Sequence, residues 1–232
     1  MPAEFSIIVP TYKEAKNLPE LVSRIAALDF SQPFELIIVD DDSQDGTEEI
    51  IETLRRAHPW IRLMTQKDSR SLSKAVITGL ENACYSTAVV MDADLSHPPE
   101  KIPAMLIALS EPNTDLVIGS RYVKGGTVDE SWPLQRKLVS RFCALLARII
   151  VPVRDPLSGF IAIKKELCFS GEKLDPISWK IGLELMMKCN CRNIKEVPIH
   201  FSERKLGKSK LNFKEALDYF RHLGRLMVYK FF

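Results

Sequence analysis

Asp92 and Asp94 stand one residue apart at the end of an apolar run, in "VVMDADLSHPPE" (Val89 to Glu100). Carboxylates this close repel each other unless a cation lies between them. In an extended segment residues i and i+2 point the same way, so both could address one Mg2+ or Mn2+. Phosphate oxygens of a bound ligand would then complete the shell of such a hard cation. Pro98 and Pro99 withhold two backbone donors and favour a turn into a helix, which would hold the loop in place. A lone pair of aspartates also arises by chance and often caps a helix, so the weight of this pair depends on where the fold puts it.

Two further stretches are unbalanced in charge. From Glu35 to Glu52 there are eight acids and no Lys or Arg. From Ser202 to Phe232 Arg204, Lys205, Lys208, Lys210, Lys214, Arg221, Arg225 and Lys230 face only Glu203, Glu215 and Asp218. These ends either serve one metal-bound anion or are unrelated solvated faces.

The elements that must position these residues can be read from periodicity. "FSIIVP", "FELIIVD", "IRLMTQ", "TAVVMD" and "DLVIGS" are short β-branched runs, expected as strands buried on both faces. Between them lie helical patterns. In "NLPELVSRIAAL" Leu18, Leu21, Val22, Ile25 and Leu28 form one stripe, with Asn17 expected as the cap and Pro19 in the first turn. "DGTEEIIETLRRAH" and "SLSKAVITGLENA" follow the same logic. Alternating strand and helix predicts an α/β protein with a doubly wound, mostly parallel sheet. After Tyr122 come a basic amphipathic helix, "PLQRKLVSRFCALLARII", and two strand patterns, "GFIAIKK" and "IKEVPIHF". The C-terminal "NFKEALDYFRHLGRLMVYKFF" is another amphipathic helix. Its stripe of Phe213, Leu217, Phe220, Leu223 and Met227 either packs on the sheet or docks on a membrane surface.

Ligands of open α/β sheets bind beyond the carboxyl ends of the strands, where strand order reverses. With an order beginning 3-2-1-4, "PTYKE" (Pro10 to Glu14), "DDDSQDGT" (Asp40 to Thr47) and "DADLS" (Asp92 to Ser96) converge there. No glycine precedes Gly46, so a dinucleotide fingerprint or P-loop after the first strand is excluded. An anion must be held some other way, and carboxylate-bound metal does this.

Composition sets wider bounds. The chain has 232 residues, 46% hydrophobic and 27% charged, with net charge +2. That is the profile of an ordinary globular protein, not of a nucleic-acid binder. The five cysteines lack paired ligand spacing, which argues against a zinc site or disulfide framework and fits a reducing, cytoplasmic setting. No signal peptide is expected at the N-terminus. The longest apolar run, "FCALLARIIVPV", contains Arg148 and falls short of the roughly 20 residues of a membrane span.

"IIVPTYKEAKNLPELV", "IIVDDDSQDGT", "VVMDADLSHPPEKIP", "LVIGSRYVKGG", "DPLSGF" and "EVPIHFSERKLGKSKL" occur in the order seen in the family 2 inverting glycosyltransferases. Among these the chain most resembles the dolichyl- or polyprenyl-phosphate mannosyltransferases, over nearly its whole length. The resemblance implies the GT-A (nucleotide-diphospho-sugar transferase) fold and transfer of mannose from GDP-mannose to a polyprenyl phosphate lipid, with inversion. It implies that Pro10, Tyr12 and Glu14, with Val39 and Asp41 alongside, line the guanine and ribose pocket. Asp92, Ala93 and Asp94 would be the metal and diphosphate segment, with Ser96 assisting the metal. Arg121, Arg204 and Lys210 would contact phosphates, and Arg136 would steer the acceptor phosphate. Asp155 would be a catalytic carboxylate or would orient its loop, and His97 would order a loop.

On this basis residues 1–232 are expected to form a single catalytic domain. Residues 1–122 would be its nucleotide-binding half and 123–232 its acceptor- and membrane-facing half. The enzyme would sit peripherally on the cytoplasmic face of a membrane; relatives use C-terminal spans or small membrane-anchoring subunits. Two positions depart from the pattern. Relatives usually have glycine at Asp42, and Gly-Leu-Gly where this chain has Ser71-Leu72-Ser73. Glycine there permits close backbone approach or unusual dihedrals. The departures keep two alternatives open: a UDP-sugar donor such as UDP-glucose, and a non-catalytic nucleotide-sugar-binding protein.

Overall fold

The computed structural model describes residues 4–67, 71–177, 180–189, 191–203 and 213–231, with side chains of 213–215 outside that description. Arg204 and Lys210 therefore lie outside the described residues.

The first half alternates as its periodicity predicts: β1 (Phe5–Thr11), α1 (Leu18–Ala26), β2 (Phe34–Asp40), α2 (Thr47–Ala57), β3 (Ile61–Thr65), α3 (Leu72–Asn82) and β4 (Thr87–Val90). A 3-10 turn at Pro99–Lys101 leads into α4 (Ile102–Ser110), followed by β5 (Leu116–Ser120) and the short β6 (Thr127–Val128). Then come α5 (Leu134–Ala147), β7 (Ile161–Lys164), α6 (Lys165–Ser170), α7 (Ile181–Lys188), β8 (Ile194–Pro198), β9 (His200–Phe201) and α8 (Phe213–Phe231).

Among the described residues the main sheet runs β3-β2-β1-β4-β7-β5-β8, and β6 pairs with β9 in a small ribbon. The 3-2-1-4 start is as expected. β7 is the exception to parallel pairing, antiparallel to both β4 and β5. The "IKEVPIHF" run is broken at Ile199, so its ends serve two sheets.

Every residue of β1 is buried, because helices cover both faces of the sheet. Alternation divides the strand between two cores. Phe5, Ile7 and Val9 pack with Leu18, Leu21, Val22 and Ile25 of α1, Ile51 of α2 and Met105 of α4. Ile8 turns the other way, towards Val76 and Leu80 of α3 and the helices of the second half. α3 lies so close to β1 that a Cβ on Gly79 would fall 2.4 Å from Ile8 Cγ2.

Two local expectations are refined. Asn17 stands at the N-cap of α1 as expected, but its side chain makes no capping bond; its amide donates to Glu14 Oε2 at 2.5 Å. In α8 the inward face is Tyr219, His222, Leu223 and Leu226, whereas Leu217 and Phe220 are about half exposed. The polar Tyr219 and His222 turn inward because each finds a buried partner. Tyr219 donates to the Cys143 carbonyl at 2.6 Å, and His222 Nε2 lies 2.6 Å from Glu184 Oε2.

Candidate active site

A cavity of about 1020 Å3 opens at the carboxyl ends of β1, β2 and β4 and extends beneath α5 and α8. Pro10, Tyr12, Glu14, Asp41, Asp92, Ala93, Asp94, Arg121 and Arg136 all line it. Thus one concavity gathers most of the residues named from sequence, at the point where strand order reverses. Val39, Ser96 and Asp155 are not among its lining residues. Val39 is fully buried within the sheet and borders a separate cavity of about 440 Å3 between β3 and α3.

The acidic tip after β2 divides its labour. Asp40 is buried and accepts from Ser43 N, Ser43 Oγ and Thr11 Oγ1 at 2.6–2.8 Å. Ser43 Oγ in turn accepts from Lys13 N at 2.8 Å, and Asp45 accepts from Ala15 N at 3.1 Å. These bonds tie the β2 tip to the β1 tip. Asp41 is left facing the cavity, with Gln66 Nε2 donating to its Oδ1 at 3.1 Å. Gln66 Oε1 accepts from Thr78 of α3 at 3.1 Å, which orients the amide. Sequence reading did not single out Gln66.

Asp42 adopts φ +51°, in the left-handed region that glycine enters freely and aspartate tolerates better than most residues. Asp42 thus meets a conformational demand that glycine would meet freely. The serine loop behaves differently. Ser71 has extended backbone (φ −158°) and caps α3 by accepting from Lys74 N, and Ser73 is buried inside the helix. Neither position requires glycine for its dihedrals.

The segment carrying Asp92 and Asp94 has left the sheet after Val90 and is not an extended strand. It bends, with Leu95 at φ +64°, a strained conformation for a branched side chain. Asp94 is nearly buried and accepts from Ser96 N at 3.0 Å and Ser96 Oγ at 2.6 Å. Ser96 is fully buried and orients Asp94, the placement it shows in place of a cavity-facing one. The Asp92 side chain keeps 32% exposure, and its backbone N–H donates to His97 Nδ1 at 3.0 Å. His97 stacks on Phe160 at 5.2 Å and so holds the loop from behind. Across from this loop, a Cβ on Gly159 would come 3.4 Å from the His97 ring. Among the described residues no cluster of three His, Cys, Asp or Glu side chains could hold a metal alone. The two cavity-facing carboxylates nevertheless fit a hard divalent cation that takes its other ligands from phosphate oxygens and water.

Two cations share the cavity with the carboxylates. Arg121 is clamped by Asp155, with Nε to Oδ2 and Nη2 to Oδ1 both at 2.7 Å, while its backbone N–H donates to Oδ2 at 2.9 Å. Burial alone lowers the Arg121 pKa, but Asp155 outweighs it and the guanidinium is held above its usual range. Asp155 is fully buried behind it, so its carboxylate orients Arg121 and does not reach the cavity as a catalytic group. The glycines of "YVKGG" make this turn: Gly125 has φ +89°, and a Cβ on Gly126 would fall 2.5 Å from the Ser120 carbonyl. Arg136, in the first turn of α5, lies 3.7 Å over the Trp132 ring and donates to both carboxylate oxygens of Glu203 at 2.6 and 2.9 Å.

Lys180, Trp132, Ser140, Phe201 and Tyr219 also line the cavity and were not anticipated. They come from the second half of the chain, and no motif spacing marks them. Desolvation first, then the like charge of Arg121, lowers the Lys180 amine to about 7. The residue as a whole is half-buried.

Residues 6–168 match Glycosyl transferase family 2, and the chain belongs to that family. It is 43% identical over 229 residues to a dolichol-phosphate mannosyltransferase of Pyrococcus furiosus, covering 97% of this chain and 64% of that protein. Identity to the Saccharomyces cerevisiae dolichol-phosphate mannosyltransferase is 36% over 241 residues, covering 100% of this chain and 90% of the relative. A polyprenol monophosphomannose synthase of Mycolicibacterium smegmatis is 35% identical over 227 residues, covering 91% and 83%. The chain thus spans under two thirds of the Pyrococcus relative's length and most of the other two. Among solved structures, glucosyl-3-phosphoglycerate synthase of Mycobacterium tuberculosis, in complex with Mn2+, UDP and glucosyl-3-phosphoglycerate, superposes with a TM-score of 0.69 at 18% identity. That match covers 98% of this chain and 80% of the other. A mannosyltransferase from Pyrobaculum calidifontis in complex with GDP-Man and Mn2+ gives 0.65 at 20% identity, covering 97% and 63%. The fold is therefore the GT-A arrangement.

Proposed function

We propose that the chain transfers mannose from GDP-mannose to dolichyl or polyprenyl phosphate, inverting the anomeric carbon. The observation that supports this most is the composition of the cavity at the carboxyl ends of β1, β2 and β4. Asp92 and Asp94 lie at its sheet end, Arg121 and Arg136 line it with them, and α5 and α8 contribute apolar residues. Such a cavity suits a metal-bound nucleoside diphosphate at one end and a lipid-borne phosphate at the other. The relatives' names point the same way. In this reading residues 1–122 hold the nucleotide and residues 123–232 face the acceptor.

Asp92 and Asp94 would hold Mg2+ or Mn2+, which when bound supplies neutralising charge for the diphosphate. Tyr12, Glu14 and Asp41 would take the base and ribose. The acceptor phosphate is already anionic at neutral pH, since its second pKa lies near ~6. No strong base is then required, and the residues act by position and charge. Arg136 and Arg121 bring an acceptor oxygen behind the anomeric carbon. That oxygen forms the new bond to C1 while the bond from C1 to the diphosphate breaks, its electron pair leaving with GDP. Asp155 acts through Arg121, as a positioning residue.

Membrane contact would be peripheral. No helix of the described residues is long and apolar enough to cross a membrane. α5 instead presents Leu134, Leu138, Phe142 and Leu145, each more than half exposed, and α8 adds Val228 and Phe231. Lys137, Arg141 and Arg221 flank these stripes, as on helices that lie in an anionic lipid surface. A membrane-anchoring subunit would reinforce this contact.

The test is a matrix of donors (GDP-mannose, UDP-glucose) and cations (Mg2+, Mn2+, chelator) with farnesyl phosphate as acceptor. Mannosyl transfer from GDP-mannose, lost with chelator, is the expected result. Folded protein that transfers nothing in any cell of the matrix sinks the proposal, and transfer only from UDP-glucose replaces its donor.

A further inference from the structure

We propose that Lys180 binds the phosphate of the lipid acceptor, as a third cation beside Arg121 and Arg136. The assignment rests on the transferase reading and goes beyond it, since neither motif nor spacing drew attention to this lysine.

The position is built rather than incidental. Lys180 immediately precedes α7, whose first turn is wedged against the "DPLSGF" loop and β7. A Cβ on Gly182 would fall 2.7 Å from the Ser158 carbonyl and 2.8 Å from Ile161 Cδ1. Only glycine permits that approach, so the backbone at Lys180 is held by the same loop that delivers Asp155 to Arg121. Lys180, Ile181, Gly182 and Leu183 all border the cavity.

Lys180 comes from the half of the chain that the proposed reaction turns towards the acceptor, and it shares the cavity with Arg136, Ser140 and Cys143 of α5. A lysine that lines the cavity offers an entering anion a positive charge and up to three N–H donors. A phosphomonoester carries between one and two negative charges at neutral pH and offers three acceptor oxygens. Arg121, Arg136 and Lys180 together match that charge and leave the nucleotide carboxylates to the metal.

The test reads binding without any sugar donor. Wild type, Lys180→Met and Lys180→Gln are titrated with farnesyl phosphate, with farnesol, and with GDP plus Mn2+, and their thermal midpoints are compared. Both variants should keep the wild-type midpoint, bind farnesyl phosphate about tenfold or more weakly, and bind farnesol and GDP within about twofold of wild type. GDP weakened as much as farnesyl phosphate would overturn the acceptor assignment and move the lysine to the donor end. Farnesol weakened equally would make Lys180 a packing residue, and unchanged farnesyl phosphate affinity would remove it from the site. The two readings separate cleanly. A wild type that binds farnesyl phosphate through Lys180 yet transfers no sugar overturns the proposed reaction and leaves this assignment standing.

Discussion

Individual side chains at this site are set by a second layer that does not touch the cavity. Ser96 holds Asp94, Gln66 holds Asp41, Asn17 holds Glu14 and Asp155 holds Arg121. Replacing Asp94 by alanine should lower transfer about 100-fold or more while the protein stays folded, with a thermal midpoint lowered by a few degrees as Ser96 loses its acceptor. Transfer at the original rate, measured with labelled GDP-mannose, would take Asp94 out of the metal site. Asp155→Asn keeps shape and removes charge from the clamp. It should cut transfer about tenfold or more, chiefly through the acceptor KM, because Arg121 loses its orientation. An unchanged acceptor KM would show that Arg121 does not depend on Asp155. The carboxylates Asp92 and Asp94 were legible in the sequence because a doublet after a buried strand is a local pattern. The holders were not, because each is joined to its client by a bond that depends on folded proximity, as Gln66 is to Asp41.

Helices of the second half are coupled through a buried polar knot between α7 and α8. Glu184 is fully buried and accepts from the Asp175 N–H at 2.9 Å, pairs with Lys188 Nζ at 2.7 Å and meets His222 Nε2 at 2.6 Å. Arg225 lies 3.6 Å from the same carboxylate. Burial pushes the Glu184 pKa up, but the bonds from His222, Lys188 and the Asp175 N–H outweigh it and bring the group from 4.5 down to about 2. With the folded pKa below the unfolded one, the unfolded chain binds more protons in acid. The stabilisation is therefore present above about 4.5 and is lost as pH falls towards about 2. Glu184→Gln should destabilise the fold at pH 7 by about 3 kcal/mol, since it leaves the nearly buried Lys188 ammonium without its counter-charge. The variant should also show a shallower fall of the thermal midpoint between those two pH values. Equal acid sensitivity in both proteins would assign the pH dependence to other carboxylates. This knot explains why the inward stripe of α8 differs from the one periodicity suggests: Tyr219 and His222 find partners inside, and Phe220 turns outward.

For the molecule as a whole, charge and apolar surface are sorted between the two halves. The acidic tip after β2 belongs to the sheet end of the cavity, and the exposed apolar residues concentrate on α5 and α8 at its mouth. If that mouth rests on lipid, the double variant Phe142→Ser, Leu145→Ser should lose most of its sedimentation with vesicles containing anionic phospholipid. Both side chains are more than half exposed, so the fold should keep its thermal midpoint. Wild-type binding should also weaken as salt rises, through the flanking Lys137 and Arg141. Full vesicle binding by the double variant would place the membrane contact elsewhere.

Periodicity and turn residues were enough to specify the alternating strands and helices of the first half. Burial on both faces of a parallel sheet leaves a local trace, an unbroken run such as "FSIIVP". The missing glycine before Gly46 likewise excluded the usual phosphate loops, because that requirement is carried by single residues. Long-range pairing lay beyond such signals. The antiparallel insertion of β7 between β4 and β5, the burial of Asp155 behind Arg121, and the arrival of Lys180 in the cavity that Arg121 lines all join residues far apart in the chain. Their cause is close packing, as at Gly182 against the Ser158 carbonyl, and no local spacing encodes which distant surface a side chain will meet.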